Sequence, residues 1–254
     1  MAPTIVLITG ANRGIGKGLL SLYLAKPNHT VIAANRDPSH PTSKALFDLP
    51  KAEGTSLILV KIDATVPTDA ADAVNSLASQ GINHVDILIA NAGIAYLWPT
   101  VADVKVADMQ KHFETNVYGV VYLYQAFLPV LKKSNNPRWV SIGSGSGFLT
   151  LLANSCSVKN MIPVQNAAYG PSKVVLHWLT KAIQIEEPVI TAFPIDPGWV
   201  QTDMGNLGAE LRGLEKAILT VEESVAGLMK VIDAATKETH SGRLWKYDGE
   251  QVQW

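Results

Sequence analysis

The chain has 254 residues, 47% of them hydrophobic, and a formal net charge of −1. That length suits one large α/β unit, and no linker-like or low-complexity stretch divides it, so a single domain spanning residues 1–254 is expected, with no metal site assigned. The near-neutral charge argues against a nucleic-acid partner and the absence of a long apolar run or leader-like opening against membrane and secretion, while the single Cys156 suits a reducing, cytoplasmic setting.

Thr4 to Thr9 is a run of β-branched and apolar residues that reads as a buried strand. Gly10-Ala11-Asn12-Arg13-Gly14-Ile15-Gly16 follows at once, and an apolar helical pattern (Ile15, Leu19, Leu20, Tyr23) begins inside it. A strand, a glycine turn and a helix in that order make an anion site, because backbone approaches a pyrophosphate closely and the helix start offers free N–H groups. The spacing is Gly-x-x-x-Gly-x-Gly rather than the commonest Gly-x-Gly-x-x-Gly. The structural alternative is a plain glycine-rich turn.

Thr30 to Asn35 reads as a second strand, Pro41 to Ala52 as a short helix, and Leu57 to Ile62 as a third strand. A helix is expected from about Thr68 to Ser79, a fourth strand from Val85 to Ala90, and a long helix from Val104 to Lys132 with a break near Asn116. Trp139 to Gly143 reads as a fifth strand, Ala167 to Glu187 as a helix, Val189 to Ile195 as a sixth strand, Val221 to Thr236 as a helix and Arg243 to Tyr247 as a last strand. Apolar strands alternating with helices predict an α/β fold, a doubly wound parallel sheet covered on both faces. Ligands of such sheets bind beyond the carboxyl ends of the strands.

Strand two ends Asn35-Arg36-Asp37, with Asn35 where an acidic residue would hold the ribose of NAD. Arg36 together with Arg13 suits a 2′-phosphate, since guanidinium forks pair bidentately with phosphate oxygens, and this points to NADP(H). Alternatively both arginines are solvated and Asp37 takes the ribose. Asp63-Ala64 and Asn91-Ala92-Gly93 end strands three and four and leave room for an adenine ring, although Asp63 also suits a turn.

Strand five ends Ile142-Gly143-Ser144-Gly145-Ser146, placing a hydroxyl at the carboxyl edge. Tyr169 and Lys173 lie four apart at a helix start, so the ammonium can favour the phenolate and lower the tyrosine pKa from ~10. Such a tyrosine would exchange a proton with a substrate oxygen near neutral pH. The alternative is an exposed helical pair.

Together these residues resemble the short-chain dehydrogenase/reductase superfamily over nearly the whole chain, with Asn116 and Pro197-Gly198-Trp199-Val200-Gln201-Thr202-Asp203 adding to the match. The resemblance implies a Rossmann-type fold with Tyr169 as general acid, Ser144 bonded to the substrate carbonyl, Lys173 on the nicotinamide ribose and Asn116 holding a relay water. It also implies that Pro197 to Thr202 wraps the nicotinamide, and that the helices 104–132 and 169–187 pair into a homodimer or homotetramer. A closer similarity is to fungal ketoreductases of the norsolorinic acid ketoreductase type, and a more distant one to C-factor and sniffer-type carbonyl reductases, carried by Ile195 to Gly205, Ala234 to Gly242 and the end of the chain.

Ser144 and Tyr169 are 25 apart, about twice the usual family spacing, so an insertion near Leu149 to Asn166 is expected, with Leu151, Leu152, Met161, Ile162, Pro163 and Val164. Ser146 is then a second candidate hydroxyl, Ser144 being preferred at the strand end. Substrate segments are expected at about 94–103, 145–168 and 199–220, with Tyr96, Trp98, Trp199 and Met204 as apolar walls that include no arginine or lysine to clamp an anion. A bulky hydrophobic aromatic or polyketide-like ketone is the expected substrate, unless the two tryptophans only pack the core. The alternative function is a catalytically silent NADP(H)-binding sensor of the same fold, which would have no need of all four of Asn116, Ser144, Tyr169 and Lys173.

Overall fold

The structure is a computed structural model that describes residues 2–150 and 165–253. The expected insertion therefore lies almost wholly outside the described residues, as does Cys156.

One eight-stranded sheet runs in the order β3-β2-β1-β4-β5-β6-β7-β8. Its strands are β1 (Thr4–Thr9), β2 (His29–Asn35), β3 (Ser56–Lys61), β4 (Ile87–Ala90), β5 (Arg138–Ile142), β6 (Thr191–Asp196), β7 (Leu244–Lys246) and β8 (Gln251–Val252). All neighbouring pairs are parallel except β7 with β8. The short β8 has no counterpart in the sequence reading. Two residues carry too little pattern to register as a strand.

Successive side chains on a strand face opposite ways, and β1 shows the result. Ile5 and Leu7 join one core, Val6 and Ile8 the other. The first core is closed by α3 (Asp69–Ser79), α5 (Gly119–Leu131) and α6 (Gly170–Glu186), through Leu77, Phe127 and Ile183 among others. The second is closed by α1 (Gly14–Leu24) and α8 (Val221–Ala234), through Leu20, Tyr23, Leu228 and Ile232. At the start of α8, Thr220 and Glu223 form a reciprocal capping box, the sequence signature of a helix start. The remaining helices are short: α2 (Pro41–Lys44), α4 (Val106–Phe113), α7 (Asp203–Glu210) and α9 (Lys237–His240). The expected break near Asn116 is a π-helical turn, Glu114–Tyr118, between α4 and α5.

The strand order reverses direction between β1 and β4, which opens a crevice at their carboxyl ends. The glycine turn, Asn35, Asp63, Asn91 and Ser144 stand at or within two residues of the carboxyl ends of β1, β2, β3, β4 and β5 in turn.

Candidate active site

The glycine turn is shaped by close approach. A Cβ on Gly16 would lie 2.2 Å from the Gly10 carbonyl oxygen, so only glycine lets α1 start directly on the end of β1. Gly14 has φ +52° and sits against the Thr202 methyl, which brings the stretch after β6 onto the turn. No side chain caps the start of α1 and its first turn holds no acid, so its N–H groups remain open for an anion. That cradle fits a dinucleotide pyrophosphate. Asn91 pins it from β4, its amide donating to the carbonyls of Thr9 (2.8 Å) and Gly10 (3.2 Å), while the Ala92 N–H donates to Thr9 Oγ1 (2.9 Å).

Asn35 does not face the crevice. Its side chain is buried, accepts from the Ala11 N–H (2.8 Å) and donates to Ser43 Oγ (3.2 Å), so its polar atoms hold the glycine turn from inside. The two arginines differ. Arg13 pairs with Asp203 at 2.9 Å, whereas Arg36 is exposed and joins no ion pair among the described residues. Asp37 is committed to the following turn, accepting from the Ser39 N–H and hydroxyl, bonds that hold its carboxyl below the usual range. Asp63 likewise accepts from the Thr65 N–H and hydroxyl, the turn role that was open for it, and Asn12 donates to Thr42 Oγ1 (2.7 Å).

The four residues Asn116, Ser144, Tyr169 and Lys173 come together. Ser144 stands two residues past β5, its hydroxyl accepting from the Ser146 N–H (3.2 Å) and close enough to the Tyr169 phenol to favour its ionised form, so Ser144, not Ser146, faces the tyrosine. Lys173, one helical turn along α6, is buried, lies 5.6 Å from the Tyr169 ring centroid and donates to the Ile142 carbonyl (2.8 Å). Asn116 projects from the π-turn, accepts from the Ile94 N–H (2.8 Å), and donates to the Ile94 carbonyl (2.9 Å) and Ser172 Oγ (3.0 Å). Gly93 fills the gap between them, its Cβ position 3.2 Å from Asn116 Oδ1 and 3.8 Å from Lys173 Nζ.

The electrostatics correct one expectation. Burial raises the Tyr169 phenol pKa above its ordinary value, outweighing the Ser144 bond that lowers it; the phenol is held protonated, not ionised by Lys173. The same burial draws Lys173 down to about 8, opposed by the partly buried Asp196 carboxylate nearby.

Several residues here gave no sequence signal. His177, one turn beyond Lys173, accepts the Ser144 N–H at Nε2 (3.3 Å) and is kept neutral by burial, its pKa drawn down to about 3. Its spacing of four from Lys173 was the only available clue. Asp196 needed knowledge of which way the end of β6 points. His112, one turn before Asn116, is buried, stacks on Tyr96 (4.6 Å between centroids) and meets the Tyr169 ring edge-on (6.4 Å). The wall residues Trp98 and Trp199 are half-buried and converge on one side chain, the Arg212 guanidinium, 5.6 and 5.5 Å from the two rings. The expectation of a wall without a cation therefore fails: it rests on Tyr96, Trp98, Trp199 and Met204 alone, and Arg212, inside the same 199–220 segment, meets two of them.

The family model described as short chain dehydrogenase matches residues 4–210. The chain belongs to that family. Among curated relatives, norsolorinic acid ketoreductase nor1 of Dothistroma septosporum is 41% identical over 99% of this chain and 92% of its own length. The short-chain dehydrogenase srdF of Neurospora crassa is 39% identical over 99% and 98%. Among solved structures, the NADPH-bound carbonyl reductase from chicken fatty liver superposes with a TM-score of 0.82 at 29% identity, covering 100% of both chains. As a short-chain dehydrogenase/reductase the protein is an oxidoreductase of a family that uses NAD(P)(H), acts on small carbonyl compounds and usually forms oligomers. Among the described residues no helix is long and apolar enough to cross a membrane, and none form a cluster suited to a metal ion.

The buried ammonium makes stability depend on pH. Between about 8 and the ordinary value of 10.5, the unfolded chain keeps a proton on Lys173 that the folded chain has released, so stability rises with pH across that window. Lys173→Met removes the effect. In denaturant melts, the wild type is expected to gain on Lys173→Met as pH rises through the window; a flat or shrinking difference contradicts the burial.

Proposed function

We propose that the protein is an NADPH-dependent ketoreductase that reduces the carbonyl, or a reducible quinone tautomer, of a bulky hydrophobic aromatic or polyketide-like substrate. The observation that carries this reading is the meeting of Ser144, Tyr169, Lys173 and Asn116 beside the open glycine cradle. The name and identity of the Dothistroma relative support the substrate class, and the NADPH in the chicken structure supports the cofactor.

Bound NADPH would supply a hydride to the carbonyl carbon. Gly10, Asn12, Gly14, Ile15 and Gly16 would cradle its pyrophosphate, Arg36 and Arg13 its 2′-phosphate, and Asp63, Ala64, Asn91, Ala92 and Gly93 would border the adenosine and ribose. Pro197, Gly198, Val200 and Thr202 would wrap the nicotinamide end. As charge develops on the substrate oxygen, Ser144 donates a hydrogen bond to it and Tyr169 gives up its phenolic proton. A phenol held protonated by burial enters as an acid, which is the role reduction requires. Lys173 keeps a cation beside the phenol as that proton leaves, and His177 holds the Ser144 backbone in place. Tyr96, Trp98, Trp199 and Met204 would give the flat apolar walls that an aromatic ring system needs. The exposed apolar side chains Tyr118 (49%), Trp178 (67%) and Ile185 (67%) on the π-turn and α6 are the surface through which a second copy would pair.

Four measurements test this reading. NADPH consumption is expected with a hydroxyanthraquinone-type ketone in preference to a small polar keto acid. Tyr169→Phe should cut that turnover about 10²–10⁴-fold while NADPH still binds, since the cradle is untouched; near-normal turnover would remove Tyr169 as the acid. For the cofactor, wild type should favour NADPH over NADH, and Arg36→Ala should narrow the ratio by about tenfold or more, with Arg13→Ala milder because Arg13 is shared with Asp203. Equal efficiency with both cofactors in wild type would defeat the claim. In sedimentation, Trp178→Glu is expected to shift an oligomer toward monomer, and an already monomeric wild type would rule the interface out.

A further inference from the structure

Arg212 follows α7 on the stretch after Pro197, and its guanidinium lies between the indoles of Trp98 and Trp199. The sandwich is built rather than incidental. Trp199 is fixed by its indole N–H donating to the Gly205 carbonyl (2.9 Å), and Arg212 donates to the Gly208 carbonyl through Nη1. A side chain on Gly208 would press within 3.1 Å of Arg212 and 3.4 Å of Trp98, so the bare backbone there makes room for both. The Trp98 loop is in turn tied beside the active site, where the Ala167 N–H, two residues before Tyr169, donates to the Pro99 carbonyl (3.1 Å).

Charge is what remains unbalanced. Arg212 joins none of the ion pairs among the described residues, and its Nε–H is buried there without a hydrogen-bond partner. The indole faces offset part of the cost of withdrawing a guanidinium from water, but they accept no conventional hydrogen bond. An oxyanion against the part of the half-buried guanidinium that remains accessible would supply the missing charge, and a planar fork receives it with defined orientation.

We infer that Arg212, held between Trp98 and Trp199, binds an oxygen of the substrate that is ionised at neutral pH: an acidic phenol or a carboxylate on the aromatic system. The substrate is then a flat ketone with an anionic edge, its rings against the indoles and its oxyanion on the guanidinium. This rests on the ketoreductase reading and deepens it.

The test is equilibrium binding by calorimetry to the full chain, with and without NADP⁺, of three probes: 2-hydroxyanthraquinone above the pKa of its phenol, its methyl ether, and anthraquinone-2-carboxylate. The expected result is that at least one anionic probe binds about tenfold or more tightly than the ether, that Arg212→Gln erases the difference without weakening the ether, and that Arg212→Lys keeps part of it. Tight binding by the carboxylate alone assigns the oxyanion to an acid; tight binding shared by the ionised phenol assigns it to a phenol as well. Equal affinity of all three for the wild type overturns the inference, and this arm needs no variant. A uniform loss across all three in Arg212→Gln also overturns it, leaving Arg212 as a pin between two loops. Because the readout is binding, absence of turnover with the preference intact would sink the reductase reading alone, and turnover without the preference would sink only this one.

Discussion

The constraint on which the site depends is the burial of the Lys173 ammonium at the carboxyl edge of the sheet. A cation withdrawn from water needs acceptors placed for it in advance, and the Ile142 carbonyl at the end of β5 is one. Ile142 leads directly to Gly143 and Ser144, so the strand that steadies the lysine also delivers the hydroxyl that faces Tyr169. Asp196, at the end of the neighbouring β6, supplies partly buried negative charge nearby. Two adjacent strand ends and one helix thus hold four polar groups in fixed relation. The sheet, not any loop, sets their distances.

The cofactor side is organised by backbone contact instead. The turn after β1 is held from β4 by Asn91 and from β2 by Asn35, and α1 is pressed onto it at Gly16. Each anchor is a neutral amide, whose Nδ2 donates to the turn from Asn91 and whose Oδ1 accepts from it at Asn35. The open N–H groups at the start of α1 are therefore rigid as well as unsatisfied, and such pre-arrangement lowers the ordering cost of binding. It also explains why strand β2 carries no acid at its last position: an Asn35 carboxylate could accept from Ala11 but would lose the amide donor that reaches Ser43.

Much of this was legible in the sequence because it is local. Strand patterns, the glycine turn and the Tyr169–Lys173 pair each lie within a few residues, where spacing and residue type decide the outcome. The direction of the Tyr169 shift was not legible, since it depends on how much protein packs over the phenol. Asn35 was placed at the correct strand end, but whether a side chain there turns toward ligand or inward is set by Ala11 and Ser43, far from it along the chain. Arg212 lies inside the expected 199–220 segment, but 114 positions separate it from Trp98, and only the fold brings the two within 5.6 Å. His177 and His112 read as ordinary helical residues until the helices are set against β5 and the loop after β4.

The π-turn at Glu114–Tyr118 has a bearing on how one rod serves two purposes. An ideal α-helix advances about 100° per residue, so side chains spaced by four drift about 40° at each step. His112, Asn116 and Val120 are spaced by four and are all buried, whereas Leu123, Phe127 and Leu131 return to a mixture of three and four in the core. The wider turn takes up the drift, acting as a phase adjuster between a segment timed to the site and a segment timed to the hydrophobic interior. Removing a single residue from this turn would let it close into an ordinary α-helical turn, so α4 and α5 would stay nearly in phase while the widened turn that carries Asn116 was lost. The length of this stretch is therefore under tighter constraint than the identity of its exposed residues.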